Sequence, residues 1–211
     1  MRPEEIEKKS FEIIHNELAE MGIELDPEKD AVIRRAIHTT ADFEYAESLV
    51  FSENAVRAAR DLLAGGADIV TDTGMALSGI NKKRLAAYGG SVRCYMSCED
   101  VAREAAERGV TRASVSMEHA ASDIAASGRR TIFAVGNAPT ALITLRAMYD
   151  EGRFRPDFII GVPVGFVNVV ESKELIIDTD IPYIVNRGRK GGSNVAAAIV
   201  NALLYGIDPA R

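Results

Sequence analysis

The chain has 211 residues, 47% of them hydrophobic and 27% charged, with 31 Asp and Glu against 25 Lys and Arg for a formal charge of −6. A chain of this length buries most of a substantial core and fits a single domain over 1–211, while 17 Gly and 7 Pro exclude collagen-like and low-complexity classes. The acid excess argues against general nucleic-acid binding, no apolar run approaches the roughly 20 residues of a membrane span, and Met1-Arg2-Pro3-Glu4-Glu5 lacks the apolar core of a signal peptide, so a cytoplasmic protein is expected.

The first thirty residues hold ten acids and four bases, so all the excess charge lies in one leading segment. Phe11, Ile14, Leu18 and Met21 recur there at helical spacing, and the acids fill the solvated face. Asp26-Pro27 reads as an N-cap and first-turn proline opening a second helix through Ile33 and Ile37 towards His38. Thr39-Thr40-Ala41-Asp42 interrupts it, and Ser52 is expected to cap a helix from Glu53 to Ala64, closed by Gly65-Gly66. The rhythm then changes. Short apolar or β-branched runs at Asp68 to Thr71, Ser91 to Tyr95, Thr131 to Val135, Phe158 to Val162 and Tyr183 to Asn186 alternate with helical stretches. That alternation predicts an α/β fold, doubly wound, with a five-stranded parallel sheet between helical layers.

In such sheets ligands sit beyond the carboxyl ends of the strands. Three of the expected strands end in unusual segments: Gly136-Asn137-Ala138-Pro139-Thr140, Pro163-Val164-Gly165-Phe166-Val167-Asn168, and Arg187-Gly188-Arg189-Lys190-Gly191-Gly192-Ser193-Asn194. Each could present backbone N–H groups to an anion, and the third adds fixed positive charge. One such loop is readily explained by turn glycines alone; three at successive strand ends favour a ligand site. None matches a P-loop, and no Gly-x-Gly-x-x-Gly follows the first strand, so nucleotide binding is not expected.

Two cysteines, Cys94 and Cys98, and three dispersed histidines, His15, His38 and His119, make neither a disulfide framework nor a structural metal site. His38 stands out. It closes a helix, where the dipole complements positive charge, and Arg35 shares its face. A proton-delivering role and a helix-capping role are both open to it.

Four motifs then coincide: Arg35-Ala36-Ile37-His38-Thr39-Thr40-Ala41-Asp42-Phe43; Gly136-Asn137-Ala138-Pro139-Thr140-Ala141-Leu142; Pro163-Val164-Gly165-Phe166-Val167-Asn168 with Glu171-Ser172-Lys173-Glu174; and Gly188-Arg189-Lys190-Gly191-Gly192-Ser193. Together, and over nearly the whole chain, they resemble the precorrin-8X methylmutases of cobalamin biosynthesis. The resemblance implies a flavodoxin-like fold and a homodimer. It also implies isomerisation of a tetrapyrrole, in which a methyl group moves from C11 to C12 of ring C. The product is hydrogenobyrinate, or cobyrinate when the substrate carries cobalt, and no cofactor is consumed. The catalytic histidine falls on His38 and substrate contacts on Ser10, Arg35 and Arg112. Gly136, Asn137, Gly165, Lys190, Gly191, Gly192 and Ser193 complete the expected substrate-binding set. Thr39-Thr40-Ala41-Asp42 looks closer to members acting on the cobalt compound.

A ring rimmed with acetates and propionates suits several separate N–H-rich loops better than one phosphate cradle. A sigmatropic-type methyl shift needs no nucleophile or redox centre, so protonation of the conjugated system by His38 in a pocket that holds one geometry would suffice. The alternatives are a non-catalytic tetrapyrrole carrier using the same loops, and a methyltransferase, against which the missing glycine signature counts.

Overall fold

Alternate residues of the expected strands are buried on opposite sides of one sheet. In β4 (Thr131–Val135), Ile132 and Ala134 join one core while Phe133 and Val135 join the other. The computed structural model describes residues 2–208, the side chains of residues 3 and 4 aside. Met1 and residues 209–211 of the expected 1–211 unit lie outside the described residues.

Four strands are buried along their whole length: β2 (Asp68–Thr71), β4, β5 (Phe158–Gly161) and β6 (Tyr183–Asn186). With β3 (Val92–Arg93) they form the parallel part of the sheet. A sixth strand among the described residues, β1 (Leu49–Phe51), lies antiparallel on β6, and the order is β1-β6-β5-β4-β2-β3. The sheet is therefore mixed and six-stranded, where an all-parallel sheet of five strands was expected. Three residues are too few to show a period, and β1 is recruited by its partner. Ser52, expected to cap a helix, instead extends this edge: its N–H donates to the Tyr183 carbonyl at 3.1 Å and its Oγ accepts from the Tyr183 N–H at 2.9 Å.

One face of the sheet is covered by α11 (Ser193–Tyr205), α4 (Ala55–Ala64), α5 (Gly74–Gly79) and α2 (Asp30–Thr40), with α1 (Pro3–Glu20) packed on α2 through Ile14 and Leu18. Ten of the thirteen residues of α11 are buried, because α2 covers the side that the sheet does not. The other face carries α8 (Arg112–Ser127), α9 (Pro139–Asp150) and α10 (Val169–Ile177), with α7 (Glu99–Arg108) beside α8. Short helices α3 (Tyr45–Ser48) and α6 (Lys82–Ala87) complete the chain. Two helix starts differ from expectation. Helix α2 opens at Asp30, since Asp26 caps a turn over 27–29, and α4 opens at Ala55 after Asn54, whose φ is +54°. Parallel strands joined by helical crossovers place the segments after β2, β4, β5 and β6 along one edge of the sheet.

Candidate active site

The edge segments are organised by two buried charges that composition and spacing do not reveal. Asp72, directly after β2 and 0% exposed, accepts hydrogen bonds from the N–H groups of Gly136, Asn137 and Ala138 at 2.9, 2.7 and 2.6 Å. Burial pushes its carboxyl above the usual carboxylate range although these three donors pull the other way. The N–H groups of Gly136 and Asn137, expected to face substrate, are thus bonded within the protein. The protein's own carboxylate has taken them. Gly136 also has no room for a side chain: a Cβ there would lie 2.6 Å from the Ser193 Cα and 2.8 Å from the Gly192 carbonyl oxygen.

The second buried charge is Lys173 on α10, also 0% exposed. Its Nζ donates to the carbonyls of Gly188 and Lys190 at 2.8 and 2.7 Å, and burial pushes its pKa down to about 8. Asn186 adds amide bonds to the carbonyls of Arg187 and Lys190, while its own oxygen accepts from the Ser48 hydroxyl at 2.7 Å. The Gly165 N–H donates to the Arg189 carbonyl at 3.1 Å and that of Gly192 to the Val162 carbonyl at 2.9 Å. Gly165 and Gly192 thus join the second and third loops to each other. Ser193 is engaged too, its hydroxyl 2.8 Å from that of Thr73. Beyond this joined layer the edge exposes Phe166 and Val167, with the Arg189 guanidinium 5.4 Å from the centre of the Phe166 ring.

Lys190 links the edge to α2. Its Nζ lies 2.5 Å from Asp42 Oδ2 and 2.7 Å from Glu44 Oε2, so the charge expected to await an anion is met by two carboxylates just past His38. The hydrogen bond from Lys190 holds the Asp42 carboxyl below its usual range.

His38 itself is exposed in the last turn of α2 and stacks on Phe11 of α1, with ring centroids 5.1 Å apart and planes 10° from parallel. The Arg35 guanidinium lies 4.7 Å from the centre of the same Phe11 ring and pairs with Glu7 at 2.5 Å. Ser10, next to Phe11, bonds the Ile6 carbonyl at 2.9 Å and shares with His38 an open cleft of about 400 Å³, walled by Ile13, Ile14, Ile37 and Phe43. The structure therefore brings Arg35 and His38 together on the Phe11 ring, and Ser10 beside His38 in the cleft. Arg112 is elsewhere: it is exposed at the start of α8, which is joined to the start of α9 by the 2.8 Å contact between the Thr111 and Thr140 hydroxyls. His119 is held 2.8 Å from Glu104 on the α7–α8 surface and takes no part in this site.

An α/β chain with a solvated histidine beside an arginine and a serine, and a hydrogen-bonded loop layer at the strand ends, is an enzyme-like scaffold for an anionic small molecule. The family profile of precorrin-8X methylmutase matches residues 5–206, and the chain belongs to that family. It is 45% identical over 207 residues to a protein from Salmonella typhimurium named cobalt-precorrin-8 methylmutase, covering 97% of this chain and 95% of that one. A Pseudomonas aeruginosa protein named precorrin-8X methylmutase is 42% identical, with 94% and 93% covered. Among solved structures, precorrin-8X methylmutase from Thermus thermophilus superposes with a TM-score of 0.84 at 36% identity, covering 96% of each chain.

Proposed function

We propose that this chain is a methylmutase that moves a methyl group from C11 to C12 of ring C of precorrin-8X or its cobalt form, with His38 as general acid. The carrying observation is the Phe11 cluster. Arg35 and His38 meet on the Phe11 ring, and Ser10, next to Phe11 in the chain, lines an open cleft with His38. Exposure in the last turn of α2 leaves the imidazole free to donate a proton to the edge of a flat conjugated ring, and neighbouring walls hold that ring in one orientation. Protonation draws electron density towards the added proton and lowers the barrier to a methyl shift within the macrocycle, after which the product returns the proton to the His38 imidazole. Arg35 is placed to exchange Glu7 for a substrate carboxylate, a bidentate pairing that a guanidinium favours. Ser10 needs only to release the Ile6 carbonyl to meet substrate.

Lys190, Gly191 and Arg112 are assigned to peripheral carboxylates, and Gly136, Asn137, Gly165, Gly192 and Ser193 support the loops that carry them. The strand order β3-β2-β4-β5-β6 supports reading the parallel part of the sheet as flavodoxin-like, with β1 added at its edge. A cytoplasmic homodimer completes the proposal; it is supported by the family resemblance and by a strand-end surface that exposes Phe166 and Val167. No helix among the described residues is long and apolar enough to cross a membrane.

The test is to mix purified protein with precorrin-8X, and separately with cobalt-precorrin-8, without a methyl donor, and to locate the migrating methyl by NMR. A methylmutase delivers it to C12. A carrier returns the substrate unchanged, and a methyltransferase stays idle until a donor is added.

A further inference from the structure

We propose that Lys173 is a positioning residue of the substrate loop: it holds the carbonyls of Gly188 and Lys190 inward and thereby turns the N–H groups of Arg189 and Gly191 outward, towards a substrate carboxylate. This rests on the methylmutase reading and names what receives the substrate's carboxylates within it. The geometry follows from the planar trans peptide, in which C=O and N–H point in opposite directions. The Gly188 carbonyl shares its peptide with the Arg189 N–H, and the Lys190 carbonyl with the Gly191 N–H. Both carbonyls converge on one atom, Lys173 Nζ, at 2.8 and 2.7 Å, so both N–H groups are directed away from that atom. Neither N–H has an acceptor among the described residues, whereas Arg187 donates to the Ser48 carbonyl and Gly192 to that of Val162. Two unfilled donors two residues apart on one loop suit the carboxylates that rim the macrocycle.

Packing gives no reason for a lysine here. Its neighbours on the buried face of α10, Val169, Ser172 and Ile176, are apolar or small, and no carboxylate pairs with Nζ. An unpaired buried ammonium is costly, and its lowered pKa reflects that cost. Gly191 fits the same device. Its φ is +153°, and a Cβ would lie 2.1 Å from the Val162 carbonyl oxygen, so only glycine permits this path.

Two measurements test the assignment. In the first, wild type and Lys173→Met are compared on the tetrapyrrole substrate. The expected result is a KM raised about tenfold with kcat within about twofold, the pattern of lost uniform binding. Equal KM overturns the proposal. The second uses wild-type protein, so that a poorly folded variant does not decide the outcome. Hydrogenobyrinate is titrated into ¹⁵N-labelled protein, and the amide signals of Arg189 and Gly191 are expected to shift while that of Gly192 stays. Stationary Arg189 and Gly191 signals overturn the proposal. Shifts at these two amides in a protein without turnover would instead overturn the methylmutase reading and leave the loop assignment standing.

Discussion

Asp72 has no role that residue type alone would suggest: a carboxylate that binds only backbone. Its three N–H partners come from a single turn, so Asp72→Asn would set an amide NH2 against donors and leave at least one of them unpaired in a buried place. The expected loss is about 2 kcal/mol, read as a lower urea midpoint at unchanged slope. Lys173 gives a pH signature. Its ordinary pKa of 10.5 falls to about 8 in the folded chain, so between those values the unfolded chain holds more protons and stability rises with pH. The cost of burying the ammonium, about 3 kcal/mol, is present in full below pH 8, where both states are protonated, and is relieved as pH rises towards 10.5. The stability difference between wild type and Lys173→Met, from urea denaturation at about pH 7 and about pH 9.5, is expected to move in favour of wild type at the higher pH. An unchanged difference would contradict the burial of an unpaired ammonium. Asp72 was open to the same rule that singled out Gly136, since it directly follows a strand; what hid it was the absence of a glycine beside it. Lys173 was hidden by its own charge, which on a helix normally marks the solvated side.

At the scale of elements, the edge segments form one hydrogen-bonded layer, each seated on its neighbour. Gly136→Ala would drive a methyl into the Ser193 Cα and the Gly192 carbonyl, parting the β4 turn from the start of α11. A loss of about 1–3 kcal/mol is expected from such overpacking, seen as a lower melting temperature. Glycine-rich sequence announced these loops, and their location at the carboxyl ends of the strands follows from βα alternation. Their hydrogen bonding does not, because it depends on which loops become neighbours when β4, β5 and β6 pair. The same reason hid β1. Leu49-Val50-Phe51 is a strand only because β6 offers an open edge and Ser52 bonds Tyr183 there. Helix α2 opens one turn later than the Asp26-Pro27 pattern suggests, because those residues form a capped turn in place of the helix start.

For the molecule as a whole, the −6 charge is a matter of place. Of the ten acids in the first thirty residues, Glu5, Glu7, Glu12, Glu17 and Glu20 lie exposed on α1, yet one of them, Glu7, occupies the Arg35 guanidinium. Asp42 and Glu44 occupy Lys190 in the same way. Arg35 and Lys190, two of the cations proposed to meet an anionic substrate, are thus each held by exchangeable carboxylates. Raising ionic strength from low to physiological is accordingly expected to weaken these pairs and substrate binding together. The homodimer is checked by sedimentation equilibrium, which should return twice the chain mass; a monomer at micromolar concentration would contradict it.

The central claim is that His38 supplies the proton for methyl migration. Because the imidazole is exposed and only stacks on Phe11, His38→Ala should change stability by no more than about 1 kcal/mol. The direct measurement is turnover of the tetrapyrrole by this variant, with the methyl position read by NMR. A kcat lower by at least about a hundredfold, with substrate still bound, is expected. Methyl migration at the wild-type rate would contradict it.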